Sequence, residues 1–299
     1  MARVRAPPAE RVRDRLRSVA GDAVARTMPS GYQRLGRVLV LRLPESLRPQ
    51  FGTIGAAWQQ ELRVETVLVR TGPIEGELRR PTTETIAGTG TETEVVEHGV
   101  RWRFDAAQVM FAAGNRTERV RAGRLVRAGE AVADLFAGIG YFAIPAARSG
   151  RATRVVAVEK NPVAFRYLQL NVEANGVAGR VVPVLGDNRA VGPSPGSSDR
   201  IFLGLLPTAV PWIPRAIELL RPSGGWLHVH AVVDARQARA TARDEVEQAV
   251  RAAGATAAEI EPREVKPYGP GRTHTVVDVR IDRPERSATG IRGSAGTGI

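Results

Sequence analysis

Three acidic positions in the middle of the chain, Asp134, Glu159 and Asp187, are the residues best placed to do chemistry. Each closes an apolar run ("EAVAD", "RVVAVE", "RVVPVLGD") that reads as a short buried strand. After the first comes "DLFAGIGYFA", which puts Gly138 and Gly140 at a strand-to-helix turn. Glycine there permits positive φ and lets a ligand approach the backbone. By pattern alone Gly138, Gly140 and Ala143 also fit a dinucleotide fingerprint, and a tight turn needs no ligand at all. Asp134 argues against a dinucleotide, because a carboxylate before the turn repels a pyrophosphate and suits a cationic amino group. Glu159, 21 residues after Gly138, falls where an acid accepts from ribose hydroxyls. Asp187 can accept from an adenine amino group while the backbone N–H of Asn188 donates to the ring. Any one of these acids would serve as a helix N-cap. All three at successive strand ends, on the edge where open α/β sheets bind ligands, describe a site for S-adenosylmethionine.

The elements that must hold these residues alternate strand and helix from Glu130 onward. "YFAIPAARSG" and "PVAFRYLQLNVEANG" read as helices between the first strands, and "RIFLGLLPT" and "GGWLHVHAVV" as later strands. "EIEPREVKPYGPGRTHTVVDVRI" reads as a closing hairpin. This predicts a doubly wound, parallel α/β sheet with an antiparallel edge, the class I S-adenosylmethionine-dependent transferase fold. Before it, a helix over Glu10 to Ala20, the half-buried strand "RVLVLRLPESL", the helix "GTIGAAWQQEL" and the strand "VETVLVRTG" form a small α+β domain. "TETEVVEHGVRWRFDAAQVMF" then predicts a hairpin turning at His98-Gly99. The expected organisation is an α+β domain over 1–110, a Rossmann-like catalytic domain over 111–283 and a disordered, Gly-rich tail over 284–299.

Composition narrows the classes. At 299 residues and 43% hydrophobic, the chain can bury one ordinary core and an accessory one. No apolar run reaches the roughly 18 residues that would suggest a membrane span. The charged start "MARVRAPPAERVRDRLRSVAGD" is unlike a secretory signal. The absence of cysteine excludes disulfides, thiolate catalysis and Cys-based zinc sites. A cytoplasmic protein without a metal is expected. The net charge of +12 points toward nucleic acid at first sight, but 41 of the 43 basic residues are arginine. That bias fits coding in a GC-rich genome, and an aromatic content of 5% offers few platforms for stacked bases.

Taken together, "WRFDAAQVMFAAGNRTERVR", "DLFAGIGYFAIPA", "VEKNPVAFRYLQLNVEANG", "GDN" and "HTVVDVRI" resemble the aminocarboxypropyl transferases of wybutosine synthesis and the related tRNA guanine-37 N1-methyltransferases. The resemblance spans roughly residues 30 to 282 and places Glu159, Asp187 and Asn188 on ribose and adenine contacts. It also implies that Arg119 meets the methionine carboxylate, and that Ala112 stands where the family usually has Ser. Read alone, "NRTERVR" would be an exposed helix start with Thr117 as its cap. The methyltransferase branch carries Asn-Pro-Pro-Tyr after the fourth strand. Here Gly204-Leu205-Leu206-Pro207-Thr208 takes its place and resembles the carboxypropyl-transferring branch, so Leu205, Pro207 and Thr208 are expected on the acceptor side.

A sulfonium has three electrophilic carbons, and a protein selects among them by aligning the attack. The expected reaction is transfer of the 3-amino-3-carboxypropyl group, releasing 5′-methylthioadenosine. The expected acceptor is a small molecule, the phenol oxygen of a nocardicin-type β-lactam in antibiotic biosynthesis, on the pattern of isonocardicin synthase. A tricyclic wybutosine precursor in tRNA is one alternative, and methylation of a tRNA guanine is another. A phenol would need a general base. His228, His230, Asp105 and Tyr141 are the candidates, and Lys266, Tyr268 or His274 could line the acceptor pocket. Each of the histidines would equally suit a satisfied core position.

Overall fold

The computed structural model describes residues 6–282, and the chain divides into two compact units between Gly192 and Pro193. The boundary expected near residue 110 falls inside the first unit, and the expected tail over 284–299 lies outside the described residues.

The first unit begins with helices α1 (Pro8–Ala20) and α2 (Asp22–Thr27), strands β1 (Tyr32–Leu35) and β2 (Val38–Leu41), helix α3 (Phe51–Leu62), and strands β3 (Thr66–Arg70) and β4 (Thr83–Ala87). The sheet order is β1-β2-β3-β4, with β2 and β3 parallel and the outer pairs antiparallel. Val12 and Leu16, one turn apart on α1, pack with Ile54 and Trp58 of α3 over Leu39, Leu41, Val67 and Val69. The alternation around β2 predicted a half-buried strand. All four of its residues are buried, because it lies between β1 and β3 and is covered on both faces.

A hairpin of β5 (Glu92–Glu97) and β6 (Val100–Asp105) follows, turning at His98 and Gly99 with φ of 50° and 75°. Helix α4 (Arg116–Leu125) leads to β7 (Ala131–Asp134), α5 (Ala143–Arg148), β8 (Arg154–Glu159), α6 (Pro162–Ala174) and β9 (Val181–Leu185). The last three strands are parallel in the order β7-β8-β9. Two asparagines tie the hairpin to α6. Asn171 accepts from the Arg103 N–H at 2.7 Å and donates to the Arg103 carbonyl at 3.1 Å. Asn175 does the same for Arg101, at 2.9 and 2.8 Å. Side chains four apart on a helix share one face, and backbone groups two apart on a strand point one way, so the spacings match. The hairpin is thereby built into the nucleotide-fold half of this unit.

The second unit contains β10 (Arg200–Leu203), α7 (Ile213–Leu219), β11 (Gly225–Asp234), α8 (Ala238–Ala252), β12 (Thr256–Gly269) and β13 (Arg272–Asp282). β10 and β11 are parallel, β13 is antiparallel to β11, and β12 closes the edge. Ala242, Val246 and Val250, spaced by four on α8, form its buried stripe. The alternating, parallel α/β architecture expected from the sequence is the one observed. No helix among the described residues is long and apolar enough to cross a membrane.

Candidate functional site

The first unit carries the glycine turn and all three strand-end acids. Gly138 and Gly140 have φ of 56° and 104°, in the region that only glycine adopts at low cost. A Cβ on Gly140 would lie 2.5 Å from Ile144 Cδ1, so the turn also depends on the missing side chain to seat α5. Glu159 braces the turn. One carboxylate oxygen accepts from the Gly138 N–H at 2.7 Å and the other from the Asn161 N–H at 2.7 Å. Burial pushes its pKa up, opposed by these backbone bonds.

Asp134 differs from the sequence expectation. It is fully buried, and its oxygens accept from the backbone N–H groups of Phe136 at 3.3 Å and Ala143 at 3.1 Å. Its work is to close the loop and cap the start of α5, which leaves no exposed oxygen for a ligand's amino group. Burial pushes its pKa up to about 7.

Asp187 follows β9 and is partly exposed. It accepts from Arg189 Nε at 2.9 Å and from Lys160 Nζ at 3.0 Å, and Lys160 also bonds Glu77 at 2.5 Å. Hydrogen bonds from Arg189 and Lys160 hold its pKa well below the ordinary carboxylate range, so it is ionised at any working pH. Asn188 is buried and donates to the Leu135 carbonyl at 2.7 Å, linking this strand end to the residue after Asp134. Glu159, Asp187 and the glycine turn thus form one cradle with hydrogen-bond acceptors and close backbone access. That donor and acceptor set fits a nucleoside with hydroxyl and amino groups.

Arg119 is 3% exposed, so the charged turn "NRTERVR" is not a solvated helix start. It donates to the Ala112 carbonyl at 2.8 Å and pairs with Glu97 of β5. Its guanidinium carbon lies 5.1, 5.6 and 5.9 Å from the ring centres of Phe111, Tyr141 and Trp102. Such a cage stabilises a buried cation. Arg119 Nε has no partner among the described residues. Thr117 lies inside α4, and Asn115 occupies the N-cap position without a side-chain capping bond.

The proposed bases are committed elsewhere. Tyr141 donates to the Met110 carbonyl at 2.7 Å, and burial raises its pKa. Asp105 accepts from the Ala107 N–H at 2.8 Å and from Gln108 Nε2 at 2.6 Å. In the second unit, His228 and Asp278 stand directly opposite on β11 and β13. His228 Nδ1 lies 2.6 Å from Asp278 Oδ1, and its Nε2 lies 2.8 Å from Arg200 Nη1. Arginine only donates, so Nε2 is the acceptor and Nδ1–H donates to Asp278, leaving no lone pair for a substrate proton. His230 Nδ1 lies 3.0 Å from His274 Nε2, and burial holds His230 well below its ordinary pKa and His274 down to about 4. Tyr268 is exposed and Lys266 half-buried on the edge strand β12.

Gly204 to Thr208 bends away from β10 with a cis Leu206–Pro207 bond. The Pro207 carbonyl accepts from the Val232 N–H at 2.7 Å, and the Ala209 N–H donates to the His230 carbonyl at 2.9 Å. Leu205 and Leu206 are half-buried and Pro207 exposed. The sequence reading missed the Arg200–His228–Asp278 chain, whose members come from three separate strands and leave no local pattern. It also missed Asn171 and Asn175, although two amides four apart on an otherwise apolar helical face were a legible signal. Among the described residues, no cluster of three His, Cys, Asp or Glu is placed to hold a metal ion.

Residues 93–258 match the TRM5/TYW2 methyltransferase domain, and residues 12–91 match the TYW2 N-terminal domain. The chain is 32% identical over 271 residues to the tRNA(Phe) (4-demethylwyosine(37)-C(7)) aminocarboxypropyltransferase of Pyrococcus horikoshii, covering 91% of this chain and 96% of that protein. The crystal structure of P. horikoshii TYW2 in complex with MeSAdo is similar at a TM-score of 0.81 and 29% identity, covering 92% of this chain and all of that one. M. jannaschii TYW2 in complex with AdoMet gives a TM-score of 0.69 at 28% identity, covering 85% of this chain and all of that one. AdoMet is S-adenosylmethionine, the cofactor that the strand-end acids and the glycine turn implied. The chain therefore belongs to the TRM5/TYW2 family and is an S-adenosylmethionine-dependent transferase.

Proposed function

We propose that this protein transfers the 3-amino-3-carboxypropyl group of S-adenosylmethionine to C7 of a 4-demethylwyosine-type base in tRNA. The observation that carries this reading is the nearly end-to-end similarity to an aminocarboxypropyltransferase of that name. Gly204-Leu205-Leu206-Pro207-Thr208 in place of an Asn-Pro-Pro run supports the same branch over methyl transfer. The nocardicin-type phenol that the sequence reading placed first finds no support among the relatives, whereas tRNA, its alternative, does. The arginine-rich composition that was set aside as codon usage then acquires a use.

When bound, S-adenosylmethionine supplies a sulfonium whose carboxypropyl carbon takes the acceptor's electron pair as the C–S bond breaks, leaving 5′-methylthioadenosine and releasing the proton of C7. The chain's own residues bind and orient. In this reading Glu159 accepts from the ribose, Asp187 from the adenine amino group, and the Asn188 backbone N–H donates to the ring. Gly138 and Gly140 give the ligand close access to the backbone. Arg119, with Nε still available beside the Ala112 carbonyl, faces the methionine carboxylate. Leu205, Pro207 and Thr208 are the residues of the branch-specific stretch that this reading assigns to the acceptor. Asp134 supports the turn from beneath.

The test is turnover with S-adenosylmethionine labelled separately in the methyl and carboxypropyl groups. The acceptors offered are tRNA bearing 4-demethylwyosine, unmodified tRNA and a phenolic β-lactam. Carboxypropyl label in the first tRNA together with 5′-methylthioadenosine is expected. Methyl label with S-adenosylhomocysteine would move the protein to the methyltransferase branch, and label in the phenol would restore the small-molecule acceptor.

A further inference from the structure

A pocket of about 270 Å³ opens in the first unit between the β5–β6 hairpin, α4 and the end of α5. Arg116, Arg124, Arg148 and Arg151 all contribute to its lining, and Glu97 is the only carboxylate, already bound to Arg119. Several arginines elsewhere pair with carboxylates: Arg11 with Glu61, Arg48 with Glu84, Arg101 and Arg103 with Glu94, Arg189 with Asp187 and Arg236 with Asp234. None of the four pocket arginines pairs with a carboxylate among the described residues. Arg116 Nε meets His98 Nε2 at 2.9 Å, and Arg151 Nη2 meets the Gly123 carbonyl at 3.4 Å.

A second observation points the same way. Trp102 lines this pocket and is 1% exposed, and its indole Nε1–H is buried with no acceptor among the described residues. Buried donors rarely stay unpaired, because an unmet N–H loses its bond to water on folding and gains none in return. The close approach of the helices is itself built in, since a Cβ on Gly123 of α4 would lie 2.8 Å from the Pro145 carbonyl of α5. Four guanidinium groups lining one pocket with no carboxylate partner among the described residues, beside an unspent N–H donor, suit an oxyanion. Phosphate matches the planar, bidentate geometry of arginine.

We infer that this pocket, whose wall includes the Arg119–Glu97 pair, is a phosphate-binding site that holds the RNA backbone of the acceptor through Arg116, Arg124, Arg148 and Arg151. The inference rests on the tRNA reading above. Its test compares the full-length wild type with Arg148→Gln/Arg151→Gln, two exposed positions outside the proposed cofactor contacts. Binding of unmodified tRNA is followed by fluorescence anisotropy from 50 to 200 mM salt, and S-adenosylmethionine binding by calorimetry. The variant is expected to bind tRNA about tenfold more weakly at 100 mM salt, with the slope of log K against log salt reduced by about one to two. Its affinity for S-adenosylmethionine should equal that of wild type.

Unchanged tRNA affinity and slope in the variant, with wild type binding and transferring normally, would overturn this inference and leave the acceptor reading standing. Loss of S-adenosylmethionine affinity in the variant would assign the pocket to the cofactor and also overturn it. If wild type binds no tRNA and modifies none, the acceptor reading falls and takes this inference with it.

Discussion

Replacing Asp134 by Asn should change how stability depends on pH, by an amount set by its burial. The carboxyl is enclosed, and its pKa is pushed up to about 7, against an ordinary value of 3.8. The folded state therefore keeps a proton that the unfolded state releases above about pH 4. The stability from this group is fully present below pH 4 and is lost as pH rises to 7, because the unfolded chain then binds fewer protons. Between pH 8 and pH 5 the change is about two pH units at about 1.4 kcal/mol each, or about 2.7 kcal/mol. Asn keeps the size but cannot ionise, and its amide presents a donor to either the Phe136 or the Ala143 N–H, at a cost of about 1–3 kcal/mol. Urea unfolding of both proteins across pH 5 to 8 isolates the effect, since other titrations cancel in the difference. The stability advantage of wild type over Asp134→Asn should be greater at pH 5 than at pH 8 by about 2.7 kcal/mol, accumulating between pH 5 and about 7 and levelling off above it. A difference that is flat with pH would refute the claim that the turn is held by a buried, proton-sensitive carboxyl.

Glu159→Ala and Asp187→Ala should each weaken S-adenosylmethionine binding by about 1–3 kcal/mol, the range for a lost hydrogen bond to a charged group, and calorimetry with both proteins unaffected would remove them from the cofactor site. Asn171→Leu should destabilise the fold by about 2–3 kcal/mol in chemical denaturation, because it strands the Arg103 backbone groups and the Ile139 carbonyl. His230→Asn should leave the shape of the kcat/KM profile between pH 5 and 8 unchanged, since burial keeps His230 neutral throughout that range. An acid-side limb, rising with pH, that disappears in this variant would return His230 to the list of bases.

The sequence determined the parts of this protein that depend on local pattern. Apolar runs of strand length, helical spacing such as Val12–Leu16 and the turn at His98-Gly99 all formed where they were expected, because periodicity and positive-φ chemistry are local properties. The glycine turn and the acids at the ends of β7, β8 and β9 were legible for the same reason, since strand ends in an open α/β sheet converge on one edge. What a carboxylate or an imidazole does there was decided only by the tertiary structure. Asp134 and Glu159 look alike in the sequence. Yet the first is sealed against the N–H groups of Phe136 and Ala143, and the second spans Gly138 and Asn161 at the rim. His228 was a candidate base until Arg200 and Asp278 arrived from other strands and took both of its nitrogens. The net charge was visible from composition alone, but its distribution was not. Arg101 and Arg103 meet Glu94 while Arg116, Arg124, Arg148 and Arg151 meet no carboxylate among the described residues, because pairing depends on which surfaces folding brings within a few ångströms.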